Sequence, residues 1–332
     1  MAEYQGVMVF GEVEGDHLAR ITTELLGCGR KLADDLGQPL CAVLVGSGVS
    51  PAGQAAISFG ADQAYLVDDP LLKGYAADAC VLAMEKVASQ VKPRILILGQ
   101  TDIGRDLAPR LAFRWHTAAV LDCVELAIDP ASKLLLETKP VYGGNAQAVY
   151  VCESYPQIAT VRAKVMSPLQ RDDSRKGEII TVEAGLDPQA IRARVVKRVT
   201  EAVEGVRLED AKIVVAGGRG LGGADAFKPL EELARLLKGA VGASRPPCDN
   251  GWLPDTRQIG LTGKMVTPDL YLAVAISGAS QHLSGCSGAK AIVAINKDAE
   301  ANIFRVARFG VIADWKKVLP AFTAKVKELL AG

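Results

Sequence analysis

Short apolar runs alternate with longer segments of helical periodicity in the N-terminal half of the chain. The apolar runs, at residues 6–13, 40–45, 63–67 and 95–98, predict buried strands, while residues 17–36, 51–59, 75–90 and 103–114 predict helices. Asp16 is the predicted N-cap of the first helix, and Gly27 and Gly29 argue against that helix being unbroken. Alternation of this kind is typical of a parallel sheet covered by helices on both faces.

The pattern changes between residues 120 and 165, where strand-like segments are separated by turns at Asp129-Pro130 and Gly143-Gly144. These segments predict added strands and hairpins that complete the first sheet. Residues 167–208 resemble a linker, with a charge-dense turn and two strand-like pieces at 179–182 and 193–199. We therefore predict two domains, residues 1–205 and residues 206–332, with the boundary near Val206.

The C-terminal part repeats the strand and helix alternation. Strands are predicted at residues 212–216, 240–243, 270–276 and 291–296, and helices at 226–238 and 315–330, the last with Asp314 as its N-cap. The predicted fold class is α/β, with two domains that each contain a mostly parallel sheet covered by helices.

Composition excludes several classes of protein. The chain has 332 residues, of which 49% are apolar and 5% aromatic, and its acidic and basic residues balance at 38 each. Nucleic-acid binders usually carry a basic excess, so we expect no nucleic-acid partner. The N-terminus lacks the pattern of a signal or transit peptide, and no apolar run reaches the length of a bilayer span. We expect a soluble, cytoplasmic protein without membrane insertion.

Cysteine and histidine residues give no indication of a metal site. The seven cysteines are scattered and odd in number, which predicts buried, reduced thiols. The three histidines, His17, His116 and His282, are far apart in sequence. Metal centres need clustered ligands, so we predict no metal.

Three polar or Gly-rich turns bring hydrogen-bond donors close together in the C-terminal part, at residues 242–245, 258–264 and 277–282. The last turn follows a predicted strand, and ligands in open α/β sheets bind at the carboxyl ends of strands. Glycines let backbone N–H groups approach an anion closely. These turns therefore suit a pyrophosphate or an electron-rich ring system.

Two further glycine motifs leave alternatives open. Gly218-x-Gly220-x-x-Gly223 follows a strand and precedes a helix, as a dinucleotide fingerprint requires, but the usual acidic ribose ligand is absent. The motif is either a tight structural turn or a phosphate loop in which Arg219 meets the ligand. Gly46-Ser47-Gly48 lacks supporting residues, and we interpret it as a turn.

These C-terminal motifs resemble one known family. VGASR, QIG-x-TGK-x-V-x-PDLY, ISGA-x-QH and IVAINKD look like the flavin-binding signature of the electron-transfer flavoprotein α subunit. Weaker matches, GRDLAPRLA, KPVYGGNAQA and IATVRAKVM, extend the resemblance over nearly the whole chain. The resemblance implies a Rossmann-like C-terminal domain that binds FAD, an N-terminal domain for partner docking, and a heterodimer with a β subunit.

The resemblance also implies a set of FAD-binding residues and their roles. Arg245 would lie against the flavin ring, where its charge would raise the reduction potential, and His282 would hydrogen-bond the pyrimidine edge and stabilise negative charge. Asn296 and Asp314 would reach the adenosine part. Without the resemblance, turn and cap chemistry would account for Asn296 and Asp314. The full set is Arg219, Ser244, Arg245, Gln258, Ile259, Gly260, Leu261, Thr262, Ser277, Gly278, Ala279, Ser280, Gln281, His282, Asn296 and Asp314.

Three functions remain open at this point. The first is an electron carrier between dehydrogenases, such as acyl-CoA dehydrogenases, and a downstream acceptor, without substrate chemistry of its own. The second is the α subunit of an NADH-dependent electron-bifurcating complex, favoured by Leu261 where many family members have Gln. The third is an NAD-dependent dehydrogenase, which the missing ribose acid and the missing acid/base pair disfavour.

Overall fold

The computed structural model describes residues 4–144, 146–189, 191–193, 195–197 and 206–331. The chain divides into two compact units: unit 1 comprises Met1–Pro140 and Gln147–Val199, and unit 2 comprises Val141–Ala146 and Thr200–Gly332. The predicted boundary at residues 205 and 206 adjoins residues 198–205, which lie outside the described residues. Both units are α/β, as predicted.

Unit 1 is built on a parallel sheet of seven strands, and buried aliphatic clusters line both of its faces. The sheet order is β12-β5-β4-β1-β6-β11-β7. Its strands are β1 (Val7–Gly11), β4 (Leu40–Gly46), β5 (Gln63–Asp68), β6 (Ile95–Gly99), β7 (Ala119–Cys123), β11 (Gln157–Val161) and β12 (Glu178–Thr181), and the other strands of the unit are β2 (Val13–Glu14), β3 (His17–Leu18), β8 (Glu125–Ile128), β9 (Leu135–Val141) and β10 (Ala146–Tyr150).

The helices of unit 1 cover the sheet as the periodicity predicts. They are α1 (Arg20–Leu36), α2 (Gly53–Ser58), α3 (Ala77–Val91) and α4 (Asp102–Arg114), with 3-10 turns at Ser50–Ala52 and Pro70–Leu72. Two predictions for α1 were wrong. Asp16 is not its N-cap, because His17 and Leu18 pair with β2 and the helix begins only after Ala19. Gly27 does not interrupt it, because a Cβ there would lie 2.3 Å from the carbonyl oxygen of Ser167, so close packing requires the glycine.

The strand-rich segment after residue 120 was only partly anticipated. Strands β7 and β11 complete the main sheet, but β8, β9 and β10 form a separate sheet of three strands in the order β10-β9-β8. The predicted strand at 179–182 is confirmed as β12, which pairs with β5. The predicted strand at 193–199 is wrong for residues 193 and 195–197, which are not in a strand, and its other positions lie outside the described residues.

Unit 2 contains a parallel sheet of five strands in the order β14-β13-β15-β16-β17. The chain reverses its direction of growth between β13 and β15, and open α/β sheets bind ligands outside the carboxyl ends of strands at such a switch point. The strands are β13 (Ile213–Gly217), β14 (Ala240–Ala243), β15 (Leu270–Val274), β16 (Ile292–Asn296) and β17 (Phe309–Ile312).

Helices α5 and α8 cover one face of this sheet, and α7 packs on the other. The prediction that Asp314 caps the last helix is confirmed, since its Oδ1 accepts a hydrogen bond of 3.0 Å from the backbone N–H of Lys316. The helices are α5 (Lys228–Leu236), α6 (Arg245–Asp249), α7 (Ser280–Cys286) and α8 (Trp315–Ala331), with 3-10 turns at Tyr142–Gly144, Arg219–Leu221, Ala224–Phe227, Asp255–Arg257 and Asn302–Arg305.

All seven cysteines are free and buried, as predicted. Within the ranges that the structure describes, no group of three or more His, Cys, Asp or Glu side chains is arranged to hold a metal ion. Among the same residues, no helix combines the length and the apolar character needed to cross a membrane.

Candidate functional site

The loops that follow β13 and β15 pack tightly against each other at the switch point. Gly218 donates its backbone N–H to the carbonyl oxygen of Val274 at 2.9 Å. A Cβ on Gly218 would lie 2.1 Å from the carbonyl oxygen of Ala275, and one on Gly220 would lie 3.1 Å from the Cβ of Ala275. The first two glycines of the motif at 218–223 therefore allow the loop after β13 to contact the loop after β15.

A third loop, which follows β14, lies at the same carboxyl end of the sheet. The backbone N–H of Ser244 donates to the carbonyl oxygen of Gly217 at 3.0 Å, and that of Ile259 donates to the carbonyl oxygen of Ala243 at 2.8 Å. Ser244 is buried, whereas Arg245, the first residue of α6, has an exposed side chain. Ser244, Arg245 and the loop that begins at Gln258 thus lie at the same end of the sheet as residues 217–223.

The loop at residues 258–264 is held by its own hydrogen bonds. The Gln258 side-chain amide donates to the Thr262 hydroxyl at 3.0 Å, and the N–H of Lys264 donates to the carbonyl oxygen of Gln258 at 2.7 Å. Gly260 has φ +150, a conformation that side chains rarely adopt. Leu261 and Thr262 are both exposed, so the loop presents its backbone and the Thr262 side chain to solvent at the carboxyl end of the sheet.

Helix α7 packs directly on this loop. The N–H of Leu261 donates to the carbonyl oxygen of Gln281 at 2.8 Å. A Cβ on Gly285 would lie 2.4 Å from the backbone nitrogen of Gly260, so only glycine permits this approach. The residues before and at the start of α7, Ser277, Ala279, Ser280 and Gln281, are exposed, and Gly278 is buried against the backbone of Ile303.

His282 is buried, and the hydrogen bond to the pyrimidine edge that the resemblance implies for it stays a prediction. Its side chain is only 5% exposed. Nδ1 lies 3.0 Å from the carbonyl oxygen of Ile259, and Nε2 lies 2.9 Å from the hydroxyl of Tyr271. Burial lowers the pKa of His282 to about 4, against a smaller opposing effect of the Ile259 hydrogen bond. The imidazole is therefore neutral at pH 7, and both nitrogens already have protein partners.

Tyr271 was missed by the sequence analysis. It lies on β15 and is fully buried, and its hydroxyl bonds to His282. The available signal was a single tyrosine inside an apolar strand, because a buried phenol hydroxyl needs a hydrogen-bond partner.

Asn296 and Asp314 stabilise the backbone after β16, at the same carboxyl end of the sheet. The Asn296 amide donates to the carbonyl oxygen of Ile276 at 2.9 Å, and its Oδ1 accepts from the N–H of Asp298 at 3.0 Å. The Ala313 N–H donates to the carbonyl oxygen of Asn296 at 3.0 Å, which brings Asp314 beside the end of β16. The side chains thus perform turn and cap functions, and the adenosine contacts stay a prediction.

The two predicted arginines are both exposed. The Arg245 guanidinium lies 3.2 Å from the Asp249 carboxylate, with both side chains more than half exposed. Arg219 lies in the loop at residues 217–223. In the same loop, Cβ atoms on Gly222 and Gly223 would have nothing within 4 Å. The exposed arginine cations and the exposed residues at 277 and 279–281 form a donor set that fits an anionic dinucleotide such as FAD.

The interpretation of Gly46-Ser47-Gly48 in unit 1 as a turn is confirmed. The Gly48 N–H donates to Asp68 Oδ1 at 2.7 Å, and the Ser50 hydroxyl donates to Oδ2 at 2.7 Å. The Asp68 carboxylate therefore already accepts hydrogen bonds from the donors that a phosphate would need. These hydrogen bonds lower the pKa of Asp68.

Comparison with known proteins agrees with this geometry. The electron transfer flavoprotein domain family matches residues 7–187, and the electron transfer flavoprotein FAD-binding domain family matches residues 207–287. The electron transfer flavoprotein subunit alpha of Thermoanaerobacterium thermosaccharolyticum is 44% identical over 330 residues, which cover 99% of this chain and 100% of the relative. The corresponding subunit of Megasphaera elsdenii is 41% identical, covering 99% of this chain and 98% of the relative.

Protein FixB of Rhizobium meliloti is also similar, with 41% identity covering 97% of this chain and 92% of the relative. Identity of this degree over nearly full length, together with two family matches in the expected order, shows common ancestry and a common fold. The chain belongs to the electron transfer flavoprotein α-subunit family, and its C-terminal part carries the FAD-binding domain of that family.

Proposed function

We propose that this chain is the FAD-holding subunit of a heterodimeric electron transfer flavoprotein in the cytoplasm. It pairs with a β subunit and passes electrons between dehydrogenases, such as acyl-CoA dehydrogenases, and a downstream acceptor. The loops after β13, β14, β15 and β16 converge at the carboxyl end of the unit 2 sheet, within the FAD-binding domain. This convergence is the observation that carries the proposal. Unit 1 serves as the domain for partner docking.

Each loop at the carboxyl end of the unit 2 sheet holds a different part of the cofactor. The backbone N–H groups of residues 277–281 and the side chain of Arg219 bind the pyrophosphate. Ser244, Arg245 and residues 258–262 surround the flavin ring, and Asn296 and Asp314 contact the adenosine part. When bound, FAD supplies the redox chemistry, because its ring system accepts and releases electrons.

Arg245 favours the reduced cofactor electrostatically. A cation beside the ring stabilises negative charge by Coulomb attraction, and this effect grows as water is excluded. The Arg245 guanidinium is 3.2 Å from Asp249 in an exposed pair, and exposed pairs contribute little stability. Arg245 can therefore turn from Asp249 to the ring at small cost.

His282 contributes without a positive charge. Its imidazole is buried and neutral, and it supports the site through its hydrogen bond to Ile259. Ile259 precedes Gly260 in the loop at residues 258–264, which we call the ring loop. The direct stabilisation of reduced flavin that the resemblance implies for His282 stays a separate prediction.

Strand β17 supports the pairing with a β subunit. It lies at the edge of the unit 2 sheet, and Phe309, Val311 and Ile312 are 66%, 40% and 62% exposed. Exposed apolar strands at sheet edges are usually covered by a partner. Since Arg305 and Arg308 are exposed beside this strand, the β subunit would contribute an apolar segment accompanied by acidic residues.

A second candidate function is that of the α subunit of an NADH-dependent bifurcating complex. Leu261 favours it, because this side chain is 59% exposed beside the ring loop. An exposed apolar group there would meet a partner surface where many family members offer Gln.

One experiment tests the proposal and separates the two functions. The chain is coexpressed with its neighbouring partner subunit, and the visible spectrum is recorded anaerobically before and after NADH is added. A flavin spectrum that stays oxidised supports the simple carrier. A spectrum that NADH bleaches supports the bifurcating type. A colourless complex that does not take up added FAD would refute both.

A further inference from the structure

Among the described residues, Tyr271 is the largest side chain that is fully buried. Its hydroxyl oxygen lies 2.9 Å from Nε2 of His282, and burial raises its pKa well above the usual value. Burying a hydroxyl costs free energy unless it is hydrogen-bonded. A phenylalanine would fill the same apolar space without that requirement, so the hydroxyl is significant for its bond to His282.

The direction of both hydrogen bonds to His282 follows from the partner of Nδ1. The carbonyl oxygen of Ile259, 3.0 Å away, can only accept, so Nδ1 carries the proton. In a neutral imidazole Nε2 is then an acceptor, and the Tyr271 hydroxyl donates to it. A second proton on the ring would compete for this position and leave the Tyr271 proton without an acceptor in the described surroundings. The low pKa of His282 agrees with this arrangement.

We propose that Tyr271 is a positioning residue of the flavin site: its hydroxyl donates to Nε2 of His282 and so holds the imidazole, whose Nδ1–H anchors the carbonyl group of Ile259. This inference rests on the proposed function, because it assigns Tyr271 to a site that holds FAD. The Ile259 carbonyl sets the tautomer because it can only accept, and the buried phenol fixes the orientation of the ring through the opposite nitrogen.

Anchoring Ile259 matters because it is the second residue of the ring loop. Ile259 is also bound through its N–H to Ala243, and Gly260 follows in a conformation that needs glycine. Helix α7 holds the loop at two points, the Gln281 carbonyl and the His282 imidazole. Only the second depends on Tyr271, so loss of the hydroxyl would loosen one of the two links and shift the backbone that faces the ring.

The test uses Tyr271→Phe in the complex of the full chain with its partner subunit. The chain has three histidines, and His17 and His116 are exposed, so nitrogen NMR of labelled imidazoles resolves His282 against two references. We expect the unmodified protein to show a protonated Nδ1 and an unprotonated Nε2. In Tyr271→Phe we expect the Nδ1–H tautomer to remain but the Nε2 resonance to shift because that nitrogen loses its donor, the FAD dissociation constant to rise about tenfold, and the flavin midpoint potential to change.

Tyr75→Phe is the matched control, because it removes a hydroxyl that donates to Asp106 at 2.8 Å in unit 1, and it should change none of these signals. The proposal is overturned if unmodified His282 carries its proton on Nε2, a measurement that needs no variant. It is also overturned if Tyr271→Phe binds FAD as the unmodified complex does. An unmodified complex that takes up no FAD would refute the proposed function itself, whereas unchanged binding in Tyr271→Phe refutes only the role of Tyr271.

Discussion

At the scale of single residues, the glycines at 218 and 223 have unequal roles within one motif. A Cβ on Gly218 would lie 2.1 Å from the carbonyl oxygen of Ala275, whereas a Cβ on Gly223 would have nothing within 4 Å. Gly223 also has an extended φ of 170, which any residue adopts. Close approach of two loops therefore requires the first glycine, and neither packing nor backbone conformation requires the last.

This difference gives a prediction. Gly218→Ala should push the loop after β13 away from β15, so that the complex is purified with most of its FAD lost. Gly223→Ala should retain FAD, because its methyl group meets open space. Flavin absorbance per protein measures both. Equal flavin content in the two variants would contradict the assignment of the switch point as the cofactor site.

Glu137 is a second residue with an unusual environment. It lies on β9 and is fully buried, and neither carboxylate oxygen has a hydrogen-bond partner among the described residues. Desolvation by burial raises its pKa from the ordinary 4.5 to about 8. The folded protein therefore keeps this carboxyl protonated at pH values where the unfolded chain releases the proton.

The sign of the pH dependence follows by linkage. Below pH 4.5 the carboxyl is neutral in both states, and from pH 4.5 to about 8 the free energy of unfolding falls because only the folded state retains the proton. Glu137→Gln carries no charge, so it should unfold about 5 °C above the unmodified protein at pH 9 and close to it at pH 4. Thermal unfolding monitored by circular dichroism measures this. The exposed Glu125→Gln on β8 is the control, and parallel curves for Glu137→Gln and the unmodified protein would contradict the raised pKa.

At the scale of elements, β17 differs from the other strands of its sheet. All four of its residues are exposed, whereas β13, β14 and β15 are almost entirely buried. Helices cover the centre of the sheet but leave this edge bare. An aliphatic edge strand without cover promotes association, and the proposed β subunit accounts for it.

Ile312→Lys tests this interpretation. A lysine there would bring an unpaired charge into a dry interface, so we expect the affinity for the β subunit to fall at least tenfold. Copurification and analytical ultracentrifugation measure it. Ala324→Lys adds the same charge at an exposed position of α8 and should leave the affinity unchanged. Full assembly of Ile312→Lys would show that β17 lies outside the interface.

Element boundaries show where local patterns have less influence than packing. The helix predicted from residue 17 begins at Arg20 because residues 17 and 18 pair with β2. At the glycines expected to break it, Gly27 and Gly29, an added Cβ would instead clash with neighbouring groups. A glycine in a helix costs about 1 kcal/mol relative to alanine, which is less than the cost of a clash with a backbone carbonyl.

At the scale of the whole molecule, the chain has separate aliphatic cores in its two units. The clusters that line the sheet of unit 1 share no residue with those that line the sheet of unit 2. Chains of this kind often unfold in more than one transition. FAD binding by unit 2 should therefore stabilise one part of the chain selectively.

We expect denaturant unfolding of the complex to show a transition of unit 2 that FAD shifts. At a free FAD concentration one hundred times its dissociation constant, the stabilisation should be about 2.7 kcal/mol. Trp252 and Trp315 lie in unit 2 and Trp115 in unit 1, so fluorescence of single-tryptophan variants assigns each transition. A shift of equal size in the unit 1 signal would contradict selective stabilisation.

The sequence by itself determined the α/β class, nearly all the central strands, the helix capped by Asp314 and the FAD-binding family. These follow from apolar runs, local capping and short motifs, whose physical causes lie within a few residues along the chain. Only the tertiary structure decided that β8, β9 and β10 form a separate sheet, that Asp68 fills the turn after β4, and that β17 is bare.

The role of His282 shows the same limit most directly. Its resemblance to a flavin ligand was evident from ISGA-x-QH, but burial keeps its ring neutral, and its hydrogen-bond partners Tyr271 and Ile259 are 11 and 23 residues away. Hydrogen-bond partners and desolvation depend on which groups the fold brings together in space. A pattern along the chain identifies the residue, and the packed structure decides its charge.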